Sequence, residues 1–168
     1  MSRIATLEDI YLEQLKNLYS AEIQLIEALP EMIRAARALK LKASFQHHLE
    51  QTYRHIERIE QILEDLDQSP AGHRCDAMTA LVKEIKKSIR EDALAAMKDA
   101  ALIAAARRIK HYKIDGYSCV CAYASLLDYE KAADLLQATL NEETEMDRGL
   151  TNIAEKLNVE VEAPSSYR

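Results

Sequence analysis

Tryptophan is absent from this chain, phenylalanine occurs once, and glycine and proline number only three each among 168 residues. So few turn formers exclude the many short strands and tight turns of a β-sandwich or barrel. Three cysteines, Cys75, Cys119 and Cys121, form neither a CxxC pair nor an even disulfide framework, so reduced thiols in a cytoplasm are expected. No apolar run reaches the roughly 18 residues of a membrane span, and the start, Met1 to Thr6, leads into an amphipathic stretch without the pattern of a signal peptide. A basic face is also missing. The net charge is -6, and the one basic cluster, Lys83 to Arg90, is interleaved with Glu84, Ile85 and Ile89, which argues against nucleic-acid or membrane-surface binding.

What remains is a helical composition, with 30% charged residues and abundant Ala, Leu, Ile, Glu and Lys. The length fits a single all-α domain, residues 1–168, that buries about two thirds of its unfolded surface. Periodicity predicts a first helix from Thr6 to Leu39, with Thr6 as N-cap and a bend near Leu29 where Pro30 falls inside. A second is expected from Ala43 to Asp67, a short one from Asp76 to Arg90, and two more long ones from Asp92 to Leu127 and from Tyr129 to Leu157. A frayed tail, residues 158–168, closes the chain. Four long helices with apolar stripes imply a four-helix bundle, the short helix lying in the crossover between the second and third long ones.

One acid breaks the pattern. The first helix repeats apolar residues at Leu7, Tyr11, Leu15, Leu18, Leu25, Leu29 and Ile33, and Glu22 falls on the same stripe. A carboxylate in an apolar seam costs several kcal/mol unless it is neutral, paired or bound to a metal. On the last helix Glu143 stands likewise between Leu136 and Leu150, and on the third long helix Lys113 follows Ile109. Bundle proteins with two iron or manganese ions use one inward Glu on each of two helices and a Glu-x-x-His motif on each of the others. Glu22, Glu50 and Glu143 stand as candidate ligands by that scheme. The histidines of the motif are missing, because Tyr53 follows Glu50 and Met146 follows Glu143 at the third place.

The chain resembles the YciF/YciE-type ferritin-like proteins of bacteria, a stress-associated family. The resemblance rests on Tyr19 to Leu25; on His48-Leu49-Glu50-Gln51-Thr52 with Ile56 to Ile59; on Cys75 to Met78 with Leu81; on Asp99 to Ala106; on His111-Tyr112; and on Leu140 to Glu143 with Asp147. It implies a ferritin-like bundle, a homodimer, and acids at the positions of Glu22, Glu50 and Glu143. It also implies Glu-His-Tyr-Glu where this chain reads Lys110-His111-Tyr112-Lys113. Two lysines in place of two acids point to a degenerate centre, in which carboxylates pair with Lys113 or Lys110 instead of iron or manganese. The chain would then act as a structural or interaction protein, including as partner of a homologous ferritin-like protein. The alternative is a di-iron or di-manganese protein that handles peroxide or Fe(II).

Within the centre, Tyr53 is expected to fill the place of a lost histidine and to hydrogen-bond Glu22, and Met146 to pack in the core. His111 reads as a core or interface histidine, and His47, His48 and His55 mostly as surface residues. The spacing leaves open which of Lys110 and Lys113 points inward.

Overall fold

The computed structural model describes residues 4–162, with side chains as far as Leu157. Five helices form the described chain: α1 (Leu7–Ala35), α2 (Leu39–Asp65), α3 (Asp76–Arg90), α4 (Ala95–Leu126) and α5 (Glu130–Glu162). The three residues between α1 and α2, and between α4 and α5, are too few for anything but hairpins, so each pair runs antiparallel. α2 packs on α5 and α1 on α4, while α3 lies against α1 and α4.

α1 starts in a capping box: the Asp9 amide donates to the Thr6 hydroxyl at 3.1 Å and the Thr6 amide donates to the Asp9 carboxylate at 2.9 Å. Pro30 is accommodated inside the helix, which runs on to Ala35 and stops four residues short of the expected Leu39. The reason lies across the bundle. Residues 36–38 leave the helix, and the buried Asp99 carboxylate of α4 accepts the amides of Arg37 and Ala38 at 2.8 Å each. Ala38 has no side chain with which to cap α2, whose first turn takes no side-chain cap; the Asp99 carboxylate instead holds the two amides just before the helix, and α2 starts at Leu39 instead of Ala43.

Scarce glycine is offset at two helix ends by aspartate. Asp67 (φ 53°) and Asp128 (φ 58°) take the left-handed conformation, and the amides after them, Gln68 and Tyr129, donate back to the carbonyls of Leu63 and Ala124. Gly116 serves packing: a Cβ there would stand 2.9 Å from a methyl of Leu18, so its absence lets α1 and α4 approach closely. α5 continues past the expected end at Leu157 to Glu162, and the rest of the expected tail, residues 163–168, lies outside the described residues.

Two apolar clusters fill the interior. One gathers Leu25, Leu29, Met32, Phe45, Leu102, Ile109 and Leu150; the other Tyr11, Leu15, Leu18, Ile59, Leu63, Val120 and Leu136. On every long helix a buried polar residue falls where one cluster gives way to the other.

Candidate functional site

Those polar residues meet in one layer across the bundle. α1 contributes Glu22 between Leu18 and Leu25; α2 contributes His48, Thr52 and His55 between Phe45 and Ile59; α4 contributes Lys110 and Lys113, with Tyr117 a turn further on; α5 contributes Thr139 and Glu143 between Leu136 and Leu150. Glu22, His55, Lys110, Lys113, Tyr117 and Glu143 are all inaccessible to solvent.

Lys113 is the hub. Its ammonium stands 2.7 Å from Glu143 Oε1, to which it donates, and 2.9 Å from Glu22 Oε2. The second contact is a charge contact outside hydrogen-bond alignment, so Glu22 Oε2 has no hydrogen-bond partner. Lys110 donates to the other oxygen of Glu143 at 2.9 Å. The Tyr117 hydroxyl donates to Glu22 Oε1 at 2.6 Å. His55 Nδ1 faces both buried acids, 3.3 Å from Glu22 and 3.4 Å from Glu143, while its Nε2 lies 2.7 Å from Glu142. Glu142 is partly exposed and is clasped by both terminal nitrogens of Arg58, at 2.9 and 3.1 Å. His48 Nε2 lies further out, 3.9 Å from Glu143.

Two carboxylates and two ammoniums leave the core of this layer without net charge, which is what a dry interior requires. Burial by itself raises the Glu22 carboxyl, but the charge of Lys113 with the contacts of His55 and Tyr117 outweighs it and holds the group at about 2. Glu143 also stays at about 2, burial being outweighed by Lys110 and Lys113. The lysines differ. Burial depresses both, yet Lys113 touches two carboxylates and ends above its ordinary value, whereas Lys110 touches one and is drawn down to about 8. Burial, then the two ammoniums, push His48 well below its usual range. Burial and the Glu22 charge raise the Tyr117 hydroxyl well above its own.

Glu22, Lys110, Lys113 and Glu143 thus lie together, and both lysines point inward. Glu50 and Tyr53 do not join them. The inward face of α2 runs His48, Thr52, His55, Ile59 at steps of four, three and four, and at about 100° per residue Glu50 stands roughly opposite that line while Tyr53 is turned about 130° from it. Glu50 is exposed and Tyr53 is 50% exposed, so the hydroxyl on Glu22 comes from Tyr117, not Tyr53. His48 and His55, expected on the surface, are buried at the centre; His111, expected in a core or interface, is exposed and contacts Asp147 at 3.1 Å. Met146 is buried and accepts the Ser44 hydroxyl at 3.4 Å.

Against a dimetal centre the arrangement fits poorly. The Lys113 ammonium sits between the two carboxylates, where a bridging cation would have to be, and Glu50 faces away. Among the described residues no group of three His, Cys, Asp or Glu side chains is placed to share an ion.

A family model described as a domain of unknown function, DUF892, matches residues 6–162. The chain belongs to this family. Protein YciF of Escherichia coli K12 is 41% identical over 150 residues, 89% of this chain and 90% of that one. The crystal structure of the E. coli stress protein YciF superposes with a TM-score of 0.89 at 39% identity, covering 92% of this chain and 98% of that. YcfI of Rhodopseudomonas palustris, described as a candidate structural protein, gives 0.86 at 37% identity, with 90% and 97% covered. A dodecameric thioferritin from Bacteroides fragilis, related to bacterioferritin, shares the fold alone: TM-score 0.74 at 15% identity, with 96% and 93% covered. Among the described residues no helix is long and apolar enough to cross a membrane.

Proposed function

We propose that this chain is a stress-associated, single-domain protein with a ferritin-like four-helix bundle, α3 forming its crossover, whose degenerate dimetal centre is closed by an internal ion cluster. It acts as a structural or interaction protein, as a homodimer or beside a homologous ferritin-like chain. The observation that carries this reading is Lys113 Nζ at 2.7 and 2.9 Å from the two buried carboxylates. An ammonium so placed gives both carboxylates a cationic partner, and it repels any metal ion approaching the same oxygens. The similarity to the E. coli stress protein supports the stress association. Three free cysteines suit a reducing cytoplasm.

A di-iron or di-manganese site for peroxide or Fe(II) is the second reading, favoured by the convergence of Glu22, Glu143 and the His55 ring. Elemental analysis decides between them, on the protein as isolated and after anaerobic loading with Fe(II) or Mn(II). We expect no metal above a Glu22→Ala control, and metal uptake in Lys113→Glu. About two ions per wild-type chain, lost in the control, would overturn the proposal.

A further inference from the structure

Three segments meet at the end of the bundle where α1 hands over to α2. The Asp99 carboxylate of α4 accepts the amides of Arg37 and Ala38, and the neighbouring Lys98 ammonium donates to the Ile89 carbonyl of α3 at 3.0 Å. These contacts bring residues 37–39, 89–90 and 94–98 to one surface. On it stand the two most exposed large apolar side chains of the described residues, Leu39 at 82% and Leu94 at 79%, with Met97 at 39%. Singly such residues are ordinary; three on one surface form a patch.

Cations ring this patch. Arg34, Arg37 and Lys40 are exposed around the α1–α2 turn, with Lys42 half-buried beside them, and Lys87 and Arg90 are exposed at the end of α3. Within residues 31–42 and 87–98 the opposing acids are Glu31, Glu91 and Asp92. Arg34, Lys87 and Arg90 sit in the last turns of α1 and α3, where they offset the negative helix ends, and α2 and α4 start here with no acid in the first turn. Along the chain alone, Glu84 dilutes the run from Lys83 to Arg90 and argues against a membrane surface. In the fold Glu84 turns to Arg108, 3.6 Å away, and the α1–α2 turn adds its own cations beside the end of that run. The far end of the bundle is the opposite case: Leu126 is 70% exposed there, beside Asp65, Asp67, Asp128 and Glu130.

We propose that the end of the bundle carrying Leu39, Leu94 and Met97 docks on an anionic lipid surface, the leucines entering the headgroup layer while Arg34, Arg37, Lys40 and Arg90 face lipid phosphates. Leucines exposed by about four fifths project into solvent instead of lining a groove, which suits a fluid layer that closes around them. Basic side chains beside them are drawn to the negative surface of such a bilayer. The chain as a whole carries a charge of -6, so its other end is repelled and the bundle stands end-on. This inference goes beyond the reading of the buried centre and does not depend on it.

The test is co-sedimentation of the full chain with sucrose-loaded vesicles. Binding is expected on vesicles of about one third phosphatidylglycerol in phosphatidylcholine, is lost in 0.5 M salt, and is absent on phosphatidylcholine alone. Arg37→Glu/Lys40→Glu should lower the partition coefficient at least ten-fold, and Leu39→Ser/Leu94→Ser about five-fold, with circular dichroism unchanged because these side chains lie outside the core. The chain has no tryptophan, so one placed at position 94 reports alone: emission of Leu94→Trp should shift to the blue on the anionic vesicles, and that of Leu126→Trp should not. Three results would each overturn the proposal: no binding to the anionic vesicles, binding indifferent to Leu39→Ser/Leu94→Ser, or equal shifts at the two tryptophans. Retention on immobilised poly-glutamate by a chain that leaves the vesicles untouched would overturn it too, and would assign the face to an acidic protein.

Discussion

Two polar regions lie inside this bundle, and they are built on opposite terms. The layer around Lys113 consists of ions in a dry interior, and three of its polar atoms, Glu22 Oε2, His55 Nδ1 and His48 Nε2, lack hydrogen-bond partners. The seam where α3 joins α1 and α4 is uncharged and well matched. There the Cys75 amide donates to the Ser20 hydroxyl at 2.9 Å, Gln24 donates to the Cys75 carbonyl at 3.1 Å, and the Thr79 hydroxyl donates to Gln24 at 2.9 Å. The Tyr112 hydroxyl meets Cys75 Sγ at 3.1 Å and accepts from Asn17 at 2.8 Å. A neutral network loses one hydrogen bond at a time when damaged; an ion cluster loses its charge balance all at once. The seam positions a helix, whereas the layer fills a space that hydrophobic side chains would fill with less risk.

The sharpest way to break that contrast is Lys113→Met. It leaves Glu22 without its cation, and we expect a loss of about 3–5 kcal/mol in urea denaturation. Removing both charges in Glu22→Leu/Lys113→Met should recover much of it, and simple additivity in this double-mutant cycle would refute the coupling. Acid is the next largest probe. Both carboxyls are held at about 2, below the ordinary 4.5, so the unfolded chain binds more protons between those values and stability falls as the pH drops through them. Each of the two carboxylates should contribute on the order of 3 kcal/mol above pH 4.5, lost toward pH 2, read as a falling urea midpoint. The smallest effect is expected in the seam. Gln24→Leu removes the partner of the Cys75 carbonyl and the Thr79 hydroxyl, which still bond each other at 3.0 Å, so about 1–3 kcal/mol is expected, with faster hydrogen exchange confined to α3.

The helices were legible because their periodicity is strong, and α3 matches its expected bounds of Asp76 and Arg90. The α1–α2 break was not, because its cause is Asp99, far away in sequence. Glu22, Lys113 and Glu143 stood out as charges on apolar stripes. His48 and His55 carried the same signal, a polar pair in phase with Phe45 and Ile59, but a stripe traced through Leu49 and Ile56 runs along the flank of α2 and passes them by. Tyr117 was hidden likewise, four residues past Lys113 on a helix with apolar residues on most sides. Glu50 came from the ligand scheme of dimetal bundles and from resemblance, not from an apolar stripe, and helical phase sends it outward.

Asp99 also sets an order of events. Until α4 has been made, the amides of Arg37 and Ala38 have no acceptor from it, and Glu22 lacks Lys113 and Tyr117. On the ribosome the α1–α2 hairpin therefore emerges with an open turn and a stranded acid, and its closure waits for residues synthesised seconds later. Assembly of this bundle is gated by its second half, so a chain truncated before α4 should leave the hairpin as a substrate for proteases instead of a folded intermediate.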